Sequence, residues 1–163
     1  MIIYEDVFRG FKKEKVDYVI VGGIAANLLG LVRATADLDI LIDVSSANFE
    51  KVDAVLRGLG YRIKQPIEIK KIGRDYIDTL IKTKNLKAIN YYKPGQFSEV
   101  DIIVDSPVAF EAVKRKVKIC SVNGLRLPVI SIDDLIKMKA KTGRAVDKYD
   151  VVQLRKVKKM KSR

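Results

Sequence analysis

The chain has 163 residues, 48 % of them apolar, a single cysteine and no histidine, and it carries a net charge of +12. That length suits one domain over residues 1–163, and no apolar run approaches the roughly 18 residues of a membrane span. One cysteine excludes an intramolecular disulfide, and the missing histidine excludes Ser-His-Asp and Cys-His catalysis and every imidazole metal site. A metal bound here would be a hard cation on oxygen ligands.

The start "MIIYEDVFRGFKKEK" mixes acids and bases among its apolar residues, unlike a signal peptide, so the cytoplasm is the expected location. "YEDVFRGFKKEK" has helical apolar spacing, and "VDYVIVGG" reads as a buried strand. "IAANLLG" predicts a short helix beginning just after Gly23 and ending at Gly30. "LDILID" is the next strand, and "SSANFEKVDAVLRGLG" a helix capped by Ser46 and ended by Gly58 or Gly60. Between Tyr61 and Lys87 only "RDYIDTLIKT" reads as a helix, followed by strands in "AINYYK" and "SEVDIIVD". "PVAFEAVKRK" predicts a helix with proline in its first turn. Asn123-Gly124 between two apolar runs predicts a hairpin. Ser131, with Asp134 three residues on, opens a C-terminal helical region from about 131, with a break near Thr142-Gly143. The order predicts an α/β (α+β) fold, a mixed sheet with helices packed on one side and C-terminal helices.

Two stretches carry chemistry. Asp37 and Asp39 alternate onto one face of a strand, about 6 to 7 Å apart, with Leu38, Ile40 and Ile42 on the other face. Carboxylates so placed repel unless a cation lies between them, and magnesium suits them because it keeps sites for water and phosphate oxygen. A third carboxylate is available in "SEVDIIVD", where Glu99, Asp101 and Asp105 share a face. Asp101 is preferred because it is level with the start of "DLDILID", and Asp105 remains the alternative. Gly22-Gly23, between a strand and a helix, suits close approach of a phosphate to free helix amides.

The apolar strand, Gly22-Gly23, the thirteen-residue gap and Asp37-Leu38-Asp39 together resemble the signature of the DNA polymerase β-type nucleotidyltransferases. Arg33 and Thr35 before the acids, and "DDLIKMKAKTGRAVDKYDVVQL" near the end, are closest to a branch of small bacterial and archaeal members that includes AbiEii-like toxins. The resemblance is scattered over roughly residues 15 to 155. It implies transfer of NMP from an NTP, with Mg2+ or Mn2+ held by Asp37, Asp39 and Asp101 and phosphates cradled by Gly22 and Gly23. Asp101 would also help to activate the acceptor hydroxyl. Gly23 stands where many members have serine, so that hydroxyl contact is missing. The implied acceptor is a hydroxyl of a protein, an RNA or a small molecule, and a toxin–antitoxin partner is implied as well. A non-catalytic nucleotide- or nucleic-acid-binding module retaining the fold is the alternative.

Other residues keep two readings. Arg33 either contacts phosphate or acceptor, or is a solvated loop residue. Lys139, Lys141 and Arg144 either face the nucleotide or form the wet side of a helix whose Leu135, Ile136 and Met138 pack inward. Asp147 and Asp150, at i and i+3, are expected to pair with Lys or Arg on the helix surface. Tyr91 and Tyr92 are expected in the core, and Cys120 buried and inert. From Lys137 to Arg163, eleven Lys/Arg face two acids, a balance of +9. This favours a polyanionic partner if it is more than a solvated helix with a frayed basic tail.

Overall fold

A computed structural model describes residues 3–163. Its described residues build one seven-stranded sheet in the order β3-β4-β5-β2-β1-β7-β6. The strands are β1 (Tyr18–Val21), β2 (Leu38–Ile42), β3 (Arg62–Ile63), β4 (Ala88–Tyr92), β5 (Glu99–Ile103), β6 (Lys118–Val122) and β7 (Leu125–Val129). Before, between and after them come α1 (Glu5–Lys13), α2 (Gly22–Leu29), α3 (Ser46–Gly58), α4 (Arg74–Lys84), α5 (Phe110–Lys114), α6 (Ile132–Thr142) and α7 (Ala145–Lys161). Among the described residues, no helix is long and apolar enough to cross a membrane.

The sheet is mixed: β2 runs antiparallel to β1 and parallel to β5, and β1 is parallel to β7. Register and alternation sort the side chains cleanly. Tyr18 and Ile20 of β1, Ile40 and Ile42 of β2, Ile102 of β5 and Ile89 and Tyr91 of β4 share one face. All of them are buried, and α1 and α3 cover them. The Phe8 and Phe11 rings of α1 lie against Tyr18, and Tyr91 donates its hydroxyl to Asp53 Oδ1 of α3 at 2.6 Å. The second face carries Val21, Asp39, Asp101 and Asn90 side by side on β1, β2, β5 and β4.

Several predicted boundaries move. α2 begins at Gly22 itself, with Val21 at its N-cap and Gly30 ending it at φ 112°. Ser45, not Ser46, caps α3, accepting from the Asn48 amide at 3.3 Å. Pro107 lies ahead of α5, whose N-cap is Ala109, so it is not in that helix's first turn. The stretch after Tyr61 holds β3 and a 3₁₀ turn (Ile69–Lys71) besides the predicted helix. The hairpin turns on Asn123 and Gly124, with φ of 49° and 74°, the left-handed pair of a type I′ turn. The helical region breaks at Gly143, φ 71°, and the expected frayed tail is instead helical to Lys161. Tyr91 is in the core as expected, Tyr92 is half-buried, and Cys120 is only half-buried, on the edge strand β6.

Ile102 sits on β5 with Ile40 and Ile89 as its lateral neighbours and is fully buried. Ile102→Ala should cost about 3 kcal/mol through lost burial and an unfilled cavity, measured by urea denaturation.

Candidate active site

On the second face Asp39 and Asp101 are direct register partners on adjacent parallel strands. Asp37 lies just ahead of β2 and is exposed. Tyr4 fixes the entrance of both strands, its hydroxyl lying 2.6 Å from Ala36 O and 2.8 Å from Glu99 O and accepting from the Glu99 amide at 3.1 Å.

The Asp39 carboxylate is turned toward the start of α2. It accepts from the Gly23 amide, and a Cβ on Gly22, whose φ is +67°, would overlap Asp39 Oδ2. Glycine is therefore required at 22 twice, by its left-handed backbone and by the carboxylate packed on it. Burial first, then the charges of Asp101 and Asp37, push the Asp39 carboxyl up to about 7, against the pull of the Gly23 amide and Lys139. Asp101 is also raised, by burial first and then by Asp37 and Glu99, while a hydrogen bond from Asn90 and the charge of Lys64 act downward.

Gly23 is explained by a neighbour. A Cβ there would overlap Thr35 Oγ1 and Cβ. The Thr35 hydroxyl thus fills, at the N-terminus of α2, the space in which a serine side chain at position 23 would stand.

Sequence reasoning missed the support of Asp101. Asn90 donates from Nδ2 to Asp101 Oδ1 at 2.6 Å. Asn90 is itself clasped by Gln65, which donates from Nε2 to Asn90 Oδ1 and accepts from the Asn90 amide at 2.9 Å. Only Asn90's place opposite Asp101 on the same face of its strand could have signalled this; Gln65 comes from the irregular stretch. Asp105, the alternative third carboxylate, lies past the end of β5 and pairs with Lys87. It lines the rim of a cleft of about 590 Å³ that also touches Gly22, Asp39, Leu135, Met138, Lys141 and Arg144.

The C-terminal candidates assemble differently from expectation. Asp147 and Asp150 are not on the surface; each is 1 % exposed, because α7 turns both toward α6. Lys139, itself buried, donates to Asp147 Oδ1 at 3.1 Å and to Asp150 Oδ2 at 2.7 Å. Arg33 reaches Asp150 from the loop before β2, and Asn27 brackets the Arg33 backbone with two hydrogen bonds. Asp147 Oδ2 accepts from Thr142 Oγ1 at 2.5 Å and from Arg144 Nε at 2.6 Å. Burial pushes the Asp147 carboxyl up, but these donors outweigh it and hold it below its ordinary value. Arg33 and Lys139 therefore spend their charge inside this network, and the cleft is lined by Lys141, Thr142 and Arg144.

No family model matches the chain, and no curated protein matches it in sequence. Solved structures do match in shape. A lincosamide antibiotic adenylyltransferase, LnuA, bound to lincomycin superposes with a TM-score of 0.62 over 93 % of each chain at 16 % identity. ANT(2″)-Ia, in complex with adenylyl-2″-tobramycin, gives 0.59 over 96 % of this chain and 91 % of its own, at 11 % identity. This chain has the nucleotidyltransferase fold. An antigenic nucleotidyltransferase-like protein from Paracoccidioides brasiliensis also shares it, with a TM-score of 0.54 over 91 % of this chain and 71 % of its own at 15 % identity.

Two outcomes follow for stability. The raised Asp39 carboxyl is protonated in the folded chain, and ionised in the unfolded chain, between its ordinary value of 3.8 and about 7. This group therefore favours folding at low pH, and that contribution is lost as pH rises through about 7. In metal-free buffer Asp39→Asn should melt roughly 3 °C or more above wild type at pH 8, with the gap closing by pH 4, read by calorimetry. Lys139→Met should instead lose about 3–5 kcal/mol in denaturant titrations, because it leaves two buried carboxylates short of a cation.

Proposed function

We propose that the protein transfers NMP from an NTP to an acceptor hydroxyl, releasing pyrophosphate. The observation that carries this reading is the register pairing of Asp39 with Asp101 on one face, beside the N-terminus of α2. Their chemistry suits a hard divalent cation: the chain offers oxygen donors and no imidazole, and both carboxyls are raised by burial and by neighbouring carboxylates. Asp37, Asp39 and Asp101 would hold Mg2+ or Mn2+, which when bound neutralises charge on the phosphates. Among the described residues no three such side chains already stand gathered as a metal-binding group.

The chain's own residues do the remaining work. Gly22 and Gly23 let the triphosphate approach the α2 amides, and Thr35 Oγ1 offers the hydroxyl that Gly23 lacks. Lys141 and Arg144, on the cleft wall, supply positive charge; Arg33 and Lys139 act indirectly, by holding the loop before β2 against α6 and α7. Asn90 occupies Asp101 Oδ1, so Oδ2 is the oxygen that takes the proton of the attacking hydroxyl. The acceptor oxygen then bonds to the α-phosphorus as the bond from that phosphorus to the β-phosphate bridge breaks. The finer reading, an AbiEii-like toxin paired with an antitoxin, rests on the sequence pattern around Arg33, Thr35 and the C-terminal acids. A second reading, a nucleotide-binding module without turnover, rests on the turn of the Asp39 carboxylate toward the Gly23 amide.

The deciding assay incubates the chain with α-labelled NTPs, magnesium and cell extract. Label should move to an acceptor with wild type, fall at least about a hundredfold in Asp37→Ala and Asp101→Asn, and vanish with EDTA. Equal labelling by wild type and variants would sink the transferase reading.

A further inference from the structure

Helix α7 carries six Lys/Arg and two acids, and both acids, Asp147 and Asp150, are turned inward and consumed by Lys139, Arg33 and Arg144. No carboxylate is left on its outer side. Lys148, Arg155, Lys156 and Lys159 are all exposed, and among the described residues none has an ion-pair partner; Lys158 alone is matched, by Asp133. An ordinary solvated helix intersperses acids with bases at i, i+4 spacing. This one segregates them.

Helical geometry places Arg144, Lys148, Arg155 and Lys159 on one strip. The strip starts at the mouth of the cleft, because Lys141 and Arg144 line it, and α7 extends about 25 Å from there. At its far end Arg155, Lys159, Ser162 and Arg163 border a shallow groove. Beside the strip, Tyr149 is 59 % exposed, between exposed Val146 and Val152. Arg144 at the head of the strip is paired with Asp147, and beyond it Lys148, Arg155 and Lys159 are unmatched. A line of such cations with an exposed aromatic shelf next to it is the surface that single-stranded nucleic acid uses, phosphates on the cations and bases on the ring.

We propose that the outer face of α7 binds a single-stranded nucleic acid and directs its 3′ hydroxyl into the cleft as the acceptor. The acceptor role rests on the transferase reading above; the binding surface does not.

The test is fluorescence anisotropy of the full chain with labelled single strands of about 20 nucleotides, RNA and DNA, without NTP or divalent metal. Four neutralised phosphates give a slope of about −3 in log K against log salt. The triple variant Lys148→Glu, Arg155→Glu, Lys159→Glu should bind at least about tenfold more weakly and with a shallower slope. Lys70→Glu, Lys82→Glu, Lys84→Glu makes the same change of charge at exposed residues of the 3₁₀ turn and α4. It should leave affinity within about twofold, because surface changes far from the strip act only through screened charge. Circular dichroism checks that both variants fold. RNA bound as well as or better than DNA supports the proposal, and so does DNA bound better. No binding by wild type, equal loss in the two triple variants, or equal competition by poly-glutamate overturns it, the last in favour of an acidic protein. Because NTP is absent, a failed binding test leaves the transfer assay standing, and binding without any label transfer removes the acceptor role alone.

Discussion

Strand β2 has to satisfy two opposed environments with five residues, and the remainder of the site is arranged around how it does so. Leu38, Ile40 and Ile42 are held in the core, so the period-two geometry of a strand delivers Asp39 to the opposite face. A slip of one residue would bury the carboxylate among isoleucines and expose the isoleucines beside the cleft. The register is therefore enforced by the hydrophobic effect, at far greater total energy than any contact in the site. β1 and β5 inherit it. Asp101 reaches its place only because Val100 and Ile102 are committed to the core, and Asn90 only because Ile89 and Tyr91 are.

A second constraint joins the start of this unit to the end of the chain. Arg33 lies four residues before Asp37, yet its guanidinium meets Asp150 of α7, which also takes the Lys139 ammonium of α6. The loop before β2 and the two consecutive C-terminal helices, more than a hundred residues on, are thereby held by charges in a buried setting, where each ion depends on the others for its solvation. Such a cluster offers little net stability over an apolar packing. What it fixes is relative position: the loop that leads into β2 cannot drift while both helices stay docked.

The parts of this arrangement that sequence reveals are those set by local rules. Asn123-Gly124 announces its hairpin because few other residues accept two successive left-handed conformations. Ser131 announces α6 through its bond to the Asp134 amide. The alternation in "LDILID" reveals which residues face the core. Partnerships across space left no such trace. An i, i+3 pair of aspartates on an amphipathic helix looks the same whether solvent or another helix lies opposite, so the inward turn of Asp147 and Asp150 was hidden. Gln65 lies in a stretch without periodicity, and its hold on Asn90 depends on how that stretch folds back along β4. Tyr4 acts through one hydroxyl on Ala36 and Glu99, which are 63 residues apart from each other in a chain of 163. The fold was thus readable to the level of layers and strands, and in the candidate site the strand positions of Asp39 and Asp101 were readable, while the groups that orient those two carboxylates were not.

The contact between positions 23 and 35 has a consequence for how this family of shapes can vary. Backbone conformation does not demand glycine at 23, since only Gly22 of that pair has positive φ; the Thr35 side chain demands it. One hydroxyl at the head of α2 is being supplied either by residue 23 or, across space, by residue 35, and the volume admits only one of them. The two positions should therefore covary: a serine at 23 belongs with a glycine at 35, since even an alanine there keeps the overlapping Cβ, and a threonine at 35 belongs with a glycine at 23. A chain that looks deficient in its glycine motif would then be complete, with the missing atom encoded twelve residues downstream.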